Sequence, residues 1–188
     1  MTISSVKTGT IGDSLLAGNA SFIPTSYESI ATASGTGSSG TITFSSIPGT
    51  YASLQIRSNA IESPAGDTQI MRFNGDSGSN YARHNLYGQG TSAVALGSAS
   101  TTSIPVGPMA TGLDATYPSP CIIDIHDYAS TTKYKTVRVI TGIDLNGSGD
   151  ISLSSGLWMS ASAITSFTIS LPGNFTTGST FSLYGIKG

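Results

Sequence analysis

From residue 41 onward the chain is a succession of short alternating runs cut by Gly, Pro, Asn and Asp clusters, and this pattern constrains the fold more than any other feature. The runs read TITFSS, ASLQIR, TQIMRFN, YARHNLYGQ, TSIPVG, PCIIDIHDY, KYKTVRVITGI, ISLSSGLWMS, AITSFTISL and TFSLYGIK. Ile42 and Phe44 fall on one face of the first. Leu54 and Ile56 share a face of the second, after the turn Ile47-Pro48-Gly49-Thr50. In the third, Ile70 and Arg72 point one way and Met71 and Phe73 the other. No window of about 11 residues sustains the i, i+3, i+4, i+7 spacing of an amphipathic helix, and β-branched residues and Gly dominate. The sequence therefore predicts an all-β, antiparallel two-sheet β-sandwich, jelly-roll-like in its strand count. A solenoid would need a fixed repeat of about 20–50 residues, and the two LYG triplets, Leu86-Tyr87-Gly88 and Leu183-Tyr184-Gly185, are too short to make one.

At 188 residues the chain is long enough for one self-sufficient core. Residues 1–28, MTISSVKTGTIGDSLLAGNASFIPTSYE, differ from the rest, with neither a period of 2 nor one of 3.6, and read as an extended N-terminal arm. Ile11, Leu15, Leu16, Phe22 and Ile23 cannot be buried by such an arm alone, so it is expected to attach to another surface. The compact domain is expected over 29–188, opening on a short strand at 29–33 and a flexible turn or connection, Ser34-Gly35-Thr36-Gly37-Ser38-Ser39-Gly40.

Charge narrows the partners. Only 10% of residues are charged, against about 25% in an ordinary domain, while Ser and Thr fill 56 positions. The surface is therefore polar but largely uncharged, and 38% hydrophobic residues in regular runs argue for a folded chain. A net charge of −2, with eight scattered Lys and Arg, offers no basic stripe for nucleic acid. No apolar stretch approaches the roughly 20 residues of a membrane span, and the first residues lack the apolar block of a signal peptide, so a soluble protein made in a cytoplasm is expected. Cys121, the lone cysteine, sits in the apolar run Cys121-Ile122-Ile123 and reads as a small buried hydrophobe.

Four strings invite a chemical reading. Gly12-Asp13-Ser14-Leu15, with Gly18, looks like the nucleophile block of the GDSL hydrolases. That family's base comes from an Asp-x-x-His, whereas here Tyr81 stands three before His84 and Ile123 three before His126, so no triad can be assembled. Asp124, His126 and Asp127 form a second patch; Asp124 and His126 share a strand face, and Ile123 and Ile125 take the inward one. The remaining acids give no paired-carboxylate site, since Glu28 and Glu62 are the only glutamates. Asp144-Leu145-Asn146-Gly147-Ser148-Gly149-Asp150 resembles half a calcium loop, but Ser155 stands where the bidentate acid is needed, so a hairpin turn is expected. Asn74-Gly75-Asp76-Ser77-Gly78 likewise reads as a turn, and Trp158 as core. The sequence thus predicts no catalytic residue, no cofactor and no metal ligand.

In order along the chain, ITFSSIPGTYASLQIR, RFNGDSGSNYARHNLYG, IIDIHDYASTTKYKT and SGLWMSASAITSFTISLPGNFTTGSTFSLYGIKG are together similar to a β-sandwich module of tailed-phage virion proteins. The resemblance spans about residues 26–188 and is to structural or tail-fibre proteins of marine and cyanobacterial phages. It implies a non-enzymatic virion protein, a homotrimer, and attachment to the major capsid protein or another virion protein. The closing LYGIKG resembles the end of those proteins, so no further domain is expected after it. One compact domain leaves no room for a long shaft, which favours a capsid decoration or cement protein on the particle surface over a tail-fibre, adaptor or tip component. A GDSL-type esterase is the alternative from a different class.

Overall fold

The computed structural model describes residues 26–64, 66–109 and 112–188. These form fourteen β-strands and no helix: β1 Tyr27–Ser34, β2 Thr41–Phe44, β3 Ser53–Ala60, β4 Glu62–Ser63, β5 Ile70–Phe73, β6 Tyr81–Gln89, β7 Ser92–Thr101, β8 Ile104–Pro105, β9 Ser119–His126, β10 Lys135–Asp144, β11 Gly149–Trp158, β12 Phe167–Ser170, β13 Asn174–Phe175 and β14 Thr180–Ile186. The eight-stranded sheet runs β1-β14-β3-β9-β10-β11-β6-β7, the four-stranded sheet β2-β12-β5-β8, and β13 pairs with β4. Every pairing is antiparallel. The expected all-β two-sheet sandwich is the observed architecture, with the strands divided eight to four.

The alternation read from the sequence sets the core. Leu54, Ile56, Ile123 and Ile125 of the large sheet and Ile42, Phe44, Met71 and Phe73 of the small one belong to a single buried cluster, while Ile70 and Arg72 are half-buried. Each such side chain contributes roughly 1.5–3 kcal/mol by leaving water. Trp158 is buried too, its ring 5.5 Å from Phe73 and 6.4 Å from Tyr81. Tyr128 is buried whole, its hydroxyl donating to Pro48 O and accepting from Tyr51 N at 3.2 Å.

The start of the fold and its first connection differ in detail from expectation. Tyr27 and Glu28, assigned to the arm, lie in β1 and pair with Ile186 and Gly185, and Lys187 N donates to Ser26 O at 3.1 Å. The 34–40 segment, expected as a flexible connection, is bonded along its length: Gly35 N donates to Ser179 O at 3.0 Å, Gly37 N to Phe175 O at 2.8 Å, and Leu171 N to Gly40 O at 2.9 Å. An added Cβ at Gly35 or Gly40 would strike the backbone of Thr176 or Gly173, so glycine serves close approach there.

Candidate functional site

Strand register aligns outward side chains into rows across the large sheet. One row crosses all eight strands as Thr32, Ser182, Arg57, Ile122, Ile140, Leu153, Leu86 and Ala95. From β9 to β7 it carries no polar side chain. The next outward positions, Gly142, Ile151, Gly88 and Ala93 on β10, β11, β6 and β7, are apolar as well, with Pro120 exposed beside them on β9. Leu86, Ile122, Ile140, Ile151 and Leu153 are 40–66% exposed, although each lies within a regular strand.

β11 explains how this face arises. Its sequence alternates, but with serines inward and aliphatics outward: Ser152 and Ser154 are buried while Ile151 and Leu153 face solvent. The inward serines of β11 are hydrogen-bonded, while Asn85 Oδ1 beside them has no partner among the described residues. Ser152 Oγ donates to Asp150 Oδ1 at 3.1 Å and accepts from Met109 N at 3.3 Å, and Asn85 Nδ2 donates to Ser154 Oγ at 2.5 Å. A buried hydrogen-bonded network fixes which way the strand faces, because turning it over would bury Ile151 and Leu153 and strand these donors.

The face is corrugated. A shallow groove of about 930 Å³ runs between Ile122, Ile140 and Ile151 over Gly142, a second of about 350 Å³ lies over Gly88 between Ile151 and Leu86, and a third of about 680 Å³ lies between Leu153, Leu86 and Ala95 and reaches Arg138 and His84 of the next row. Ile140 and Leu153 are thus ridges, and Gly142 and Gly88 are notches, in one apolar relief.

The polar row beside it is Tyr184, Gln55, Asp124, Arg138, Ser155, His84 and Gly97. Gln55 Nε2 donates to Asp124 Oδ1 at 2.8 Å, and Arg57 Nε donates to Gln55 Oε1 at 2.7 Å. Arg57 also lies 5.2 Å from the Tyr27 ring and 5.5 Å from the Tyr184 ring. Asp124 and His84 share this row three strands apart, roughly 14 Å at ordinary strand spacing, too far to couple.

The sequence candidates separate accordingly. Gly12, Asp13, Ser14, Leu15 and Gly18 lie outside the described residues. Asp124 and His126 do share the outward face, with Ile123 and Ile125 inward. Asp127 has left it, with φ of 52°, to pair with Lys133 Nζ at 3.1 Å. Residues 144–150 close the β10–β11 hairpin: Leu145 N donates to Ser148 O at 2.8 Å and Asn146 N to Asp144 Oδ1 at 2.9 Å. Asp144 is exposed on the outer side and Asp150 buried on the inner, so the turn does not converge its carboxylates. Asp76 organises the 74–78 turn, accepting from Gly78 N at 2.9 Å and from Trp158 Nε1 at 2.7 Å. Among the described residues no group of three or more His, Cys, Asp or Glu side chains is placed to hold a metal ion.

Three buried ionisable groups have structural partners. Cys121 Sγ approaches Val106 O at 3.2 Å, and burial pushes its thiol up to about 12. Lys135 is wholly buried with Nζ donating to Lys133 O, Ser160 O and Ala161 O, and burial lowers its pKa. Glu62 is wholly buried; burial raises its pKa, and its Oε2 accepts from Asp67 N at 2.9 Å.

The apolar face itself escaped the sequence reading, because alternation sorts residues into two faces without saying which is covered. Its one signal was compositional: Ile-Ser-Leu-Ser-Ser at 151–155, where serines alternate with aliphatics. Comparison with family models, with curated proteins and with solved structures gives no match.

Proposed function

We propose that the chain is a non-enzymatic structural protein of a tailed-phage particle, a capsid decoration or cement protein that assembles with copies of itself on the particle surface. The observation that carries this reading is the apolar outward face of β9, β10, β11, β6 and β7, which a chain working alone would expose to water. The sequence resemblance supplies the virion setting and implies a homotrimer. The role of residues 1–25 is attachment: they hold Ile11, Leu15, Leu16, Phe22 and Ile23, and they lead directly into β1 at the edge of the large sheet.

Co-sedimentation with particles lacking the protein tests this. The full chain is expected to bind and saturate, and a chain lacking residues 1–25 is expected to stay folded by circular dichroism but remain in the supernatant. Failure of the full chain to bind any particle component would remove the virion role; normal binding of the shortened chain would remove the attachment role of the arm.

A further inference from the structure

We infer that the apolar outer face is a two-fold contact with a second copy of this chain, with the axis lying across the strands above Thr141 and Ser152. The inference rests on the self-assembly reading above and names its surface. Thr141 and Ser152 are register partners whose side chains point inward, so they mark the line midway between the two apolar rows.

A rotation about that line lays β10 on β10 and β11 on β11 in opposite directions, and exchanges the rows. Ile140 of one copy then stands over Gly142 of the other, Leu86 over Gly88, and Leu153 against Ile151. On β10 and β6 a side chain of one row meets a glycine notch of the other, and on β11 two aliphatic side chains pack against each other, so the apolar rows meet their own copies as an isologous contact requires. Aligned sheets cross at about 30° and pack about 10 Å apart, so the match is closest near the axis, where these residues lie.

The same rotation pairs charges. Arg138 and Asp144 are each three residues from Thr141 on β10, both exposed on the outer side, so the guanidinium of one copy falls over the carboxylate of the other. Neither takes part in the two ion pairs found among the described residues, Lys133–Asp127 and Lys187–Glu28. The area also suits one copy. Taken with its polar rows, the outward face of these five strands, about 4.8 Å apart and up to ten residues long at about 3.3 Å each, outlines roughly 24 by 33 Å, or about 800 Å² in projection, with the two apolar rows at its centre. That is about what each partner gives to a stable interface.

The mass of the full chain by light scattering is expected to be that of a dimer, or of a hexamer where three-fold contacts elsewhere join three dimers. Ile140→Asp, on a half-exposed side chain outside the core, is expected to halve that mass with unchanged circular dichroism and to weaken association about 30-fold or more. The register has its own test. Arg138→Cys combined with Asp144→Cys is expected to give a covalent dimer with a bismaleimide cross-linker of about 10 Å, which spans the gap between facing sheets, while each single variant gives none; within one chain the two positions are about 20 Å apart on the same strand, beyond its reach. A monomer, a mass unaffected by Ile140→Asp, a trimer that Ile140→Asp reduces to single chains, or loss of association on removing residues 1–25 alone would each overturn the two-fold contact. A monomer would also remove self-assembly from the reading above, whereas particle binding tests the virion setting by itself.

Discussion

Trp158 Nε1 donates to Asp76 Oδ2 at 2.7 Å, tying the end of β11 in the large sheet to the turn that follows β5 in the small one. The indole is buried against Phe73 and Tyr81, and Tyr81 in turn donates its hydroxyl to Asp76 O at 3.0 Å. Asp76 therefore closes one end of the sandwich through its carboxylate and its backbone carbonyl.

The Trp158 hydrogen bond, followed by that from Gly78 N, holds Asp76 below its ordinary pKa of 3.8. A depressed carboxylate stabilises the fold above its unfolded value, and that contribution is lost as pH falls from about 3.8 through the lower folded value. Asp76→Ala is expected to cost about 1–2 kcal/mol at neutral pH, discounted for partial exposure. Trp158 is the only tryptophan, so its fluorescence in a urea titration reads the loss directly; an unchanged midpoint at pH 7 would show the bond to be idle.

Glu62 runs the other way. Burial raises its pKa above 4.5, so its contribution is fully present below the unfolded value and is lost as pH rises through the folded one. Glu62→Gln keeps an acceptor for Asp67 N and removes the buried charge. It is expected to stabilise the chain at pH 7, with the difference from the parent vanishing below about pH 4.5. A thermal melt at the two pH values checks this, and a destabilised variant at pH 7 would contradict it.

Cys121, with its pKa pushed up to about 12 and its side chain buried, is expected to ignore an aromatic disulfide reagent at pH 8 while the chain is folded, and to react fully in guanidinium. Fast reaction of the folded chain would mean that the β9–β10 region opens readily.

Gly185 lies in the closing strand, under the ring of Tyr51, where an added Cβ would collide with the aromatic carbons. Tyr51 N bonds to the buried Tyr128 hydroxyl, which anchors the backbone that carries the ring. Gly185→Val is expected to cost about 1–3 kcal/mol in a denaturant titration. Wild-type stability in that variant would mean that Tyr51 is not fixed.

These sites show what the sequence made legible. Period-two alternation in CIIDIH and TITF put Ile123, Ile125, Ile42 and Phe44 in the core, and Gly-rich or Asn-rich clusters marked the turns at 74–78 and 144–150. β7 was missed because SAVALGSAST is mostly Ala, Ser and Gly, residues of weak strand preference, and forms at the sheet edge through pairing with β6. The candidate face was illegible for a different reason. Ile151 and Leu153 point outward while Ser152 and Ser154 turn inward to bond Asp150, Met109 N and Asn85, and the last two partners stand 43 and 69 residues away, so no local pattern announces the direction.

The most direct measurement is the number of copies of this chain in gradient-purified phage particles, by quantitative mass spectrometry against the major capsid protein. A decoration protein is expected at hundreds of copies per particle. A few to tens would move it to the tail, and its absence from purified particles would contradict the virion role altogether.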